Sequence, residues 1–224
     1  MPAADRPHPK VIFLDAVGTL FGVRHSVGHQ YAHVARQLGA IVNDDTLNRA
    51  FFQAFKQADP CAFPGVAPED LLIEEYNWWK AIARQTLTLS GDIDQFSGIK
   101  FDDFFSRLYS HFASATPWFV YPEVRATLQQ WQGLGIELGI ISNFDTRIHP
   151  VLQALELDHH FRTVTISTEV GAAKPNPHIF EVALHKHRCS PQEAWHIGDS
   201  YREDYLAARA VDLFALWLRR SKSP

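Results

Sequence analysis

Residues 11–22, VIFLDAVGTLFG, decide how the rest of the chain is read. Four apolar residues run into Asp15, and Gly18-Thr19 follow three positions later. A short run rich in Ile, Val and Phe that ends on a charge has the pattern of a strand buried on both faces. Such a strand delivers its last residue to the mouth of a loop, which makes Asp15 a candidate functional carboxylate. Two positions further on stands Val17, whose side chain cannot carry a proton.

Four later runs share this texture: 136–142 (IELGIIS), 162–167 (RTVTIS), 194–198 (AWHIG) and 212–218 (DLFALWL). Between them lie helical patterns, PEVRATLQQWQGLG, HPVLQALELD, NPHIFEVALHKH and REDYLAARA. Strands alternating with helices predict an α/β fold with a parallel sheet and right-handed crossovers. Residues 23–116 read differently, with helical periodicity and no convincing strand. HSVGHQYAHVARQLG puts Val27, Tyr31, Val34 and Leu38 on one stripe; LNRAFFQAFKQA, PEDLLIEEYNWWKAIARQTL and DDFFSRLYSHFA follow, with SGDIDQFSG before the last. The expected organisation is a core of residues 1–22 and 117–224 with a helical insertion, 23–116, after the first strand. Ligands of open parallel sheets bind at the carboxyl ends of the strands. The insertion leaves from that end beside Asp15, so it is expected to roof the site.

The chain of 224 residues is long enough for one core and a smaller unit. A formal net charge of −4 with no clustered Lys or Arg argues against nucleic acid as a partner. No apolar run approaches the roughly 18 residues of a membrane span, and the N-terminal MPAADRPHPK lacks the apolar stretch of a secretory signal. Cys61 and Cys189 are the two cysteines, without CxxC spacing, which points to a reducing, cytoplasmic setting. The C-terminal LRRSKS reads as a solvated tail.

Polar residues gather just after each expected strand. Asp15, Gly18 and Thr19 follow the first and Ser142, in SNFD, the second; Lys174, in AAKPNPHIF, follows the third; Asp199 and Asp204, in GDSYRED, follow the fourth. Three carboxylates, an ammonium and hydroxyls converging on one end suit a charged ligand better than a core. Asp15 and Asp199 together could hold Mg²⁺, a hard ion that takes oxygen ligands. Lys174 and the Ser142 hydroxyl would then bind phosphoryl oxygens.

With DAVGTL, ISN, KPNP and GDSYRED in this order, the chain resembles the haloacid dehalogenase superfamily of hydrolases over essentially its whole length. Within it, a VGxxYA helix start, the pair Trp78-Trp79, SNFD and KPxPxIF resemble the branch of haloacid dehalogenase-like hydrolase domain-containing protein 3. The resemblance implies a Rossmannoid core with an inserted α-helical cap of the C1 type. It implies Asp15 as nucleophile and Thr19, Ser142, Asn143 and Lys174 as substrate contacts. It further implies Mg²⁺ held by Asp15, the Val17 backbone carbonyl and Asp199, with Asp204 in the outer shell. A small phosphorylated metabolite is the expected partner, and the chain is expected to be a monomer or homodimer.

Val17 bears on the reaction. Phosphatases of the family carry a second aspartate there, which protonates the leaving alkoxide and then activates water. Such help is worth roughly 10²–10⁴ in rate. Three readings stay open: an Mg²⁺-dependent phosphatase with weakened acid–base catalysis, a 2-haloacid dehalogenase with Asp15 as nucleophile, and a non-catalytic descendant that binds a phosphorylated ligand or a partner. Asp199 and Phe180 speak against the second, as does the lack of a recognisable early cap arginine, although Arg49 is nearby. A phosphonate hydrolase would need a cap lysine, for which Lys56 and Lys80 are candidates.

Plainer roles stand beside these. Asp204 could pair with Arg202 or start a helix, and Asn143 and Asp145 could satisfy backbone groups at the next helix start. His25, His29 and His33 recur every four residues and read as a polar helix face with Arg36; a sharper reading makes His25 or His29 the proton donor missing at Val17. Phe51, Phe52, Phe55, Tyr76, Trp78 and Trp79 read as core of the insertion, with one Trp free to line its roof or a dimer surface.

Overall fold

The structure is a computed structural model, and it describes residues 8–96 and 99–220. Expectations for the N-terminal MPAADRP, for 97–98 within SGDIDQFSG and for the last four residues lie outside that range.

Five parallel strands form the central sheet in the order β5-β4-β1-β6-β7: Val11–Leu14 (β1), Glu137–Ser142 (β4), Thr163–Ile166 (β5), Ala194–Gly198 (β6) and Phe214–Trp217 (β7). All five were expected. Alternation along β1 sends Ile12 and Leu14 into one apolar cluster with Leu128, Ile148 and Val151, and Val11 and Phe13 into another with Ile179, Phe180 and Ala183. These two clusters are contributed by helices α5 (Val124–Gly133) and α6 (Ile148–Ala154), and by α8 (Pro177–His187). Burial on both faces is why β1, β4 and β6 read as unbroken apolar runs, whereas the edge strand β7 leaves Leu216 and Trp217 exposed. The β1 strand is flanked by β4 and β6, so the chain order reverses there and the loops after these three strands open side by side.

Helices α1 (Val27–Gln37), α2 (Asp44–Gln57), α3 (Leu71–Ser90) and α4 (Ile99–Phe112) come between β2 (Phe21–Val23) and β3 (Trp118–Val120) and share their own apolar cluster. Asn43 caps α2 by accepting from the Thr46 N–H, with Asp44 and Asp45 in the first turn against the helix dipole. The antiparallel ribbon of β2 and β3 was not anticipated; three-residue strands are too short to show a period.

Other expectations need correction. His25 lies outside α1 with a φ of 59°, because Ser26 caps the helix by accepting from the His29 N–H. Phe51 is buried, but Phe52 and Phe55 are exposed, since the core of the insertion takes only part of each helix surface. The stretch REDYLAARA starts as a wider π-helical turn, Tyr201–Leu206, before the short α9 (Ala207–Ala210). No helix among the described residues is long and apolar enough to cross a membrane.

Candidate active site

The loop after β1 is held from within by one carbonyl. Ala16 O accepts from the N–H groups of Thr19, Leu20 and Phe21, while the Gly18 N–H donates to Phe21 O; the Val17 carbonyl takes no part in this set. Gly18 has a φ of +91°, and a Cβ there would lie 2.3 Å from Asp199 Oδ2, so only glycine lets the two loops meet this closely.

Lys174, from the loop that follows α7 (Ser167–Val170), is buried at the centre of the group. Its Nζ donates to Asp15 Oδ1 at 2.8 Å, Asp204 Oδ1 at 2.6 Å and Ile141 O at 3.0 Å. Ser142 Oγ donates to the same Asp15 oxygen at 3.2 Å, whereas Thr19 Oγ1 reaches Asp15 Oδ2 at a long 3.4 Å. Asn143 clasps the Lys174 backbone from both sides: its Oδ1 accepts from Lys174 N at 2.7 Å and its Nδ2 donates to Lys174 O at 2.9 Å. The same amide reaches Glu203 Oε2 at 3.3 Å.

Asp204 is fully engaged. Besides Lys174 it accepts from His196 Nε2 at 2.9 Å and from the Ser200 N–H at 2.9 Å. Gly198 makes room for it, because a Cβ at 198 would lie 2.1 Å from Asp204 Cγ. Burial alone would raise its pKa, but the charge of Lys174 and the bond from His196 hold it well below the carboxylate range. Burial pushes the His196 imidazole below its ordinary value against the pull of Asp204, and since ionised Asp204 only accepts, His196 donates to it from Nε2. For Asp15 burial dominates and raises the carboxyl; the charge of Asp204 adds to that, against Lys174. Lys174 stays protonated because the two carboxylates outweigh its own burial.

Asp199 is the open corner. It is exposed and borders a cavity of about 260 Å³, and its carboxylate receives no hydrogen bond from any side chain among the described residues. Loss of hydration on its inward side, then the charges of Asp15 and Asp204, push it up to about 6. Oxygens of Asp15, Asp199 and Asp204 all lie within 4.8 Å of one another. Three hard oxygen donors and one ammonium leave a net negative charge that a divalent cation would offset. The donor set therefore fits Mg²⁺, with Asp15 and Asp199 as the carboxylates still able to turn to an ion. Asp204 has its oxygens committed elsewhere.

Of the sequence candidates, Asp15, Thr19, Ser142, Asn143, Lys174, Asp199 and Asp204 gather here, and Val17 lies in the same loop. His29 Nδ1 donates to Asp44 Oδ2 at 2.7 Å, and the His25 ring lies tilted against His29; neither bonds to the group around Asp15. Lys80 pairs with Asp102, and Arg49 bonds to Thr46 Oγ1. Phe180 is fully buried with its ring edge-on to His196. Two participants were missed. His196 left a signal, a polar residue in the middle of a buried strand. Arg220 left none: it was read as part of a solvated tail, yet its guanidinium donates to the carbonyls of Gly18 and Thr19.

A parallel sheet with an aspartate-bearing loop at its switch point and a buried lysine between two carboxylates defines a class of hydrolase. The haloacid dehalogenase-like hydrolase family matches residues 9–212, and the chain belongs to that family. Its relatives include haloacid dehalogenase-like hydrolase domain-containing protein 3 of Bos taurus, 36% identical over 94% of this chain and 82% of the relative. Similar solved structures are an L-2-haloacid dehalogenase (TM-score 0.72, 22% identical, 95% of this chain and 84% of that one) and a HAD phosphatase from Thermococcus onnurineus (TM-score 0.63, 22% identical, 96% and 88%). Both share the fold.

Proposed function

We propose that this chain is an Mg²⁺-dependent phosphatase that hydrolyses a small phosphomonoester through an aspartyl-phosphate at Asp15. The observation that carries the reading is Lys174 Nζ, shared between Asp15 and Asp204 with Ser142 Oγ on the same Asp15 oxygen. An anionic nucleophile can meet an anionic substrate only where donors offset the repulsion. Lys174 and Ser142 now point at Asp15 and turn to phosphoryl oxygens when substrate is bound, with Thr19 and Asn143 beside them. Mg²⁺, held by Asp15, Asp199 and the Val17 carbonyl, supplies charge neutralisation of the phosphoryl group when bound.

In the first step an Asp15 oxygen attacks phosphorus and the P–O bond to the leaving group breaks. In the second, water attacks the aspartyl-phosphate, releasing phosphate and restoring Asp15. Val17 gives neither step a proton carrier, so the leaving alkoxide takes its proton from solvent. Esters whose leaving groups depart readily as anions, aryl or sugar-1-phosphate types, suit such a site best. Helices α1–α4 act as the cap and set specificity. Asp204 positions Lys174, and His196 positions Asp204 from behind. Asp199 also disfavours dehalogenation, since its charge opposes the carboxylate of a 2-haloacid. Two free cysteines support a reducing, cytoplasmic setting, with the chain a monomer or homodimer.

The test compares an aryl with a simple alkyl phosphate, with and without Mg²⁺, using Asp15→Asn as control. Mg²⁺-dependent aryl turnover that Asp15→Asn abolishes, beside a weak alkyl rate, is the expected result. Turnover of 2-haloacids without metal, and of neither ester, would replace this reading with dehalogenation.

A further inference from the structure

The last described residues bind the two loops that carry Asp15 and Asp199. From β7, the Trp217 Nε1–H donates to Asp199 O at 2.9 Å and the Leu218 N–H to Gly198 O at 2.8 Å. Two residues later, Arg220 Nε donates to Gly18 O at 2.9 Å and its Nη2 to Thr19 O at 2.6 Å. Arg220 is itself fixed: Nη1 donates to Glu123 Oε1 at 2.6 Å, and the guanidinium lies 3.3 Å from the centre of the Tyr121 ring. The loop after β1 is thus pinned inside by Ala16 O and outside by Arg220. Between the two loops Gly18 packs directly on the Asp199 carboxylate.

We infer that Trp217–Arg220 is a strap that sets the separation of the Asp15 and Asp199 loops, with Arg220 as a positioning residue for the divalent ion. A planar guanidinium suits this task, because its fork reaches two adjacent carbonyls at once and keeps its charge at any working pH. Outer partners that orient ligands typically change metal affinity 10–100-fold when removed. Arg220 acts through the backbone of Gly18 and Thr19, and so on where Asp15 stands relative to Asp199. The inference rests on the ion site of the proposed function.

The experiment titrates the full chain with Mn²⁺, standing in for Mg²⁺, by calorimetry, and records metal-free melting temperatures. Asp199→Asn tests the ion site itself and should abolish binding. Arg220→Ala should weaken Mn²⁺ about tenfold. Arg220→Lys, which keeps the charge but serves one carbonyl at a time, should weaken it about threefold; it carries the test alone if the alanine variant does not fold. Arg125→Ala is the control: Arg125 also donates to two adjacent carbonyls, Leu155 and Glu156, but holds neither of these loops. It should leave Mn²⁺ affinity unchanged. Wild-type affinity in both Arg220 variants, with binding lost in Asp199→Asn, overturns the strap and leaves the ion site standing. Equal loss in Arg125→Ala also overturns it, since the effect would then be general loosening. Binding unaffected by Asp199→Asn removes the ion site and the strap with it.

Discussion

Two of the buried polar groups among the described residues, one around Lys174 and one where α3 meets the sheet loops, are finished differently. In the second, Asp145 accepts from Arg147 N, Nε and Nη2 and from Trp79 Nε1. The Arg147 guanidinium lies 3.9 Å from the centre of the Tyr109 ring, on α4. Glu75, fully buried on α3, accepts from Thr146 N at 3.0 Å, Thr146 Oγ1 at 2.5 Å and Thr168 Oγ1 at 2.6 Å. Every carboxylate there has its own donors. Around Lys174, by contrast, two carboxylates share one ammonium, and the nearby Asp199 carboxylate has no side-chain donor among the described residues. A completed network fixes geometry, because any rearrangement strands a buried charge. An incomplete one keeps the capacity to bind. Under the proposed function the first group takes a ligand, whereas the second ties α3 and α4 to the sheet loops.

That contrast can be broken most directly by exchanging what each group loses. Asp15→Asn should reduce phosphate-ester turnover about 10⁴-fold or more, with the melting temperature unchanged or raised, because it removes one charge from a crowded set. Arg147→Ala should do the reverse. It leaves Asp145 buried without its cation, at a cost of about 3–5 kcal/mol, or about 10 °C in melting temperature for a chain of this size. Turnover by the folded protein should stay within about tenfold. A large turnover loss without a stability loss in Arg147→Ala would mean the two groups are one.

Smaller effects sharpen the comparison. Mg²⁺ at about 100 times its dissociation constant should stabilise the wild type by about 2.7 kcal/mol, read as a rise in melting temperature. Asp199→Asn should show no such rise, whereas Glu75→Gln should keep it.

Glu75→Gln itself should cost about 1–2 kcal/mol, because the amide nitrogen cannot accept from threonine. Burial raises the Glu75 carboxyl above its ordinary 4.5 despite the opposing threonine bonds. A carboxyl raised in the folded state binds its proton more tightly there than in the unfolded chain. Its contribution is therefore complete below pH 4.5 and is lost as pH rises through the raised value. The stability gap between wild type and Glu75→Gln should shrink with rising pH across that window. Melting curves at pH 4, 5, 6 and 7 would show it, and a gap that widens would place a different group in control.

Much of the site could be read in advance for one reason. Asp15 and Asp199 each follow a strand buried on both faces and Ser142 ends one, and a polar residue ending an apolar run is visible in a single sequence. Lys174 and Asp204 followed from their order among these. The ring of support around them was less visible. Asn143 looked like a helix-start residue but clasps Lys174, and Asp145 does cap Arg147 N while also holding Arg147 and Trp79. The exposed Phe52 and Phe55 misled because helical spacing marks a face without saying whether anything covers it.

The sequence alone determined the parallel sheet, the helical insertion after the first strand and the polar residues that strand ends present. These are local consequences of periodicity and of which side chains water rejects. Only the tertiary structure decided which partners those residues have. Gly18 and Arg220 are 202 positions apart, Lys174 and Asp15 159, and Thr168 and Glu75 93. No periodicity spans such separations. They are fixed by the crossing order of the strands and by the need of each buried charge for a donor, and both arise only once the chain is folded.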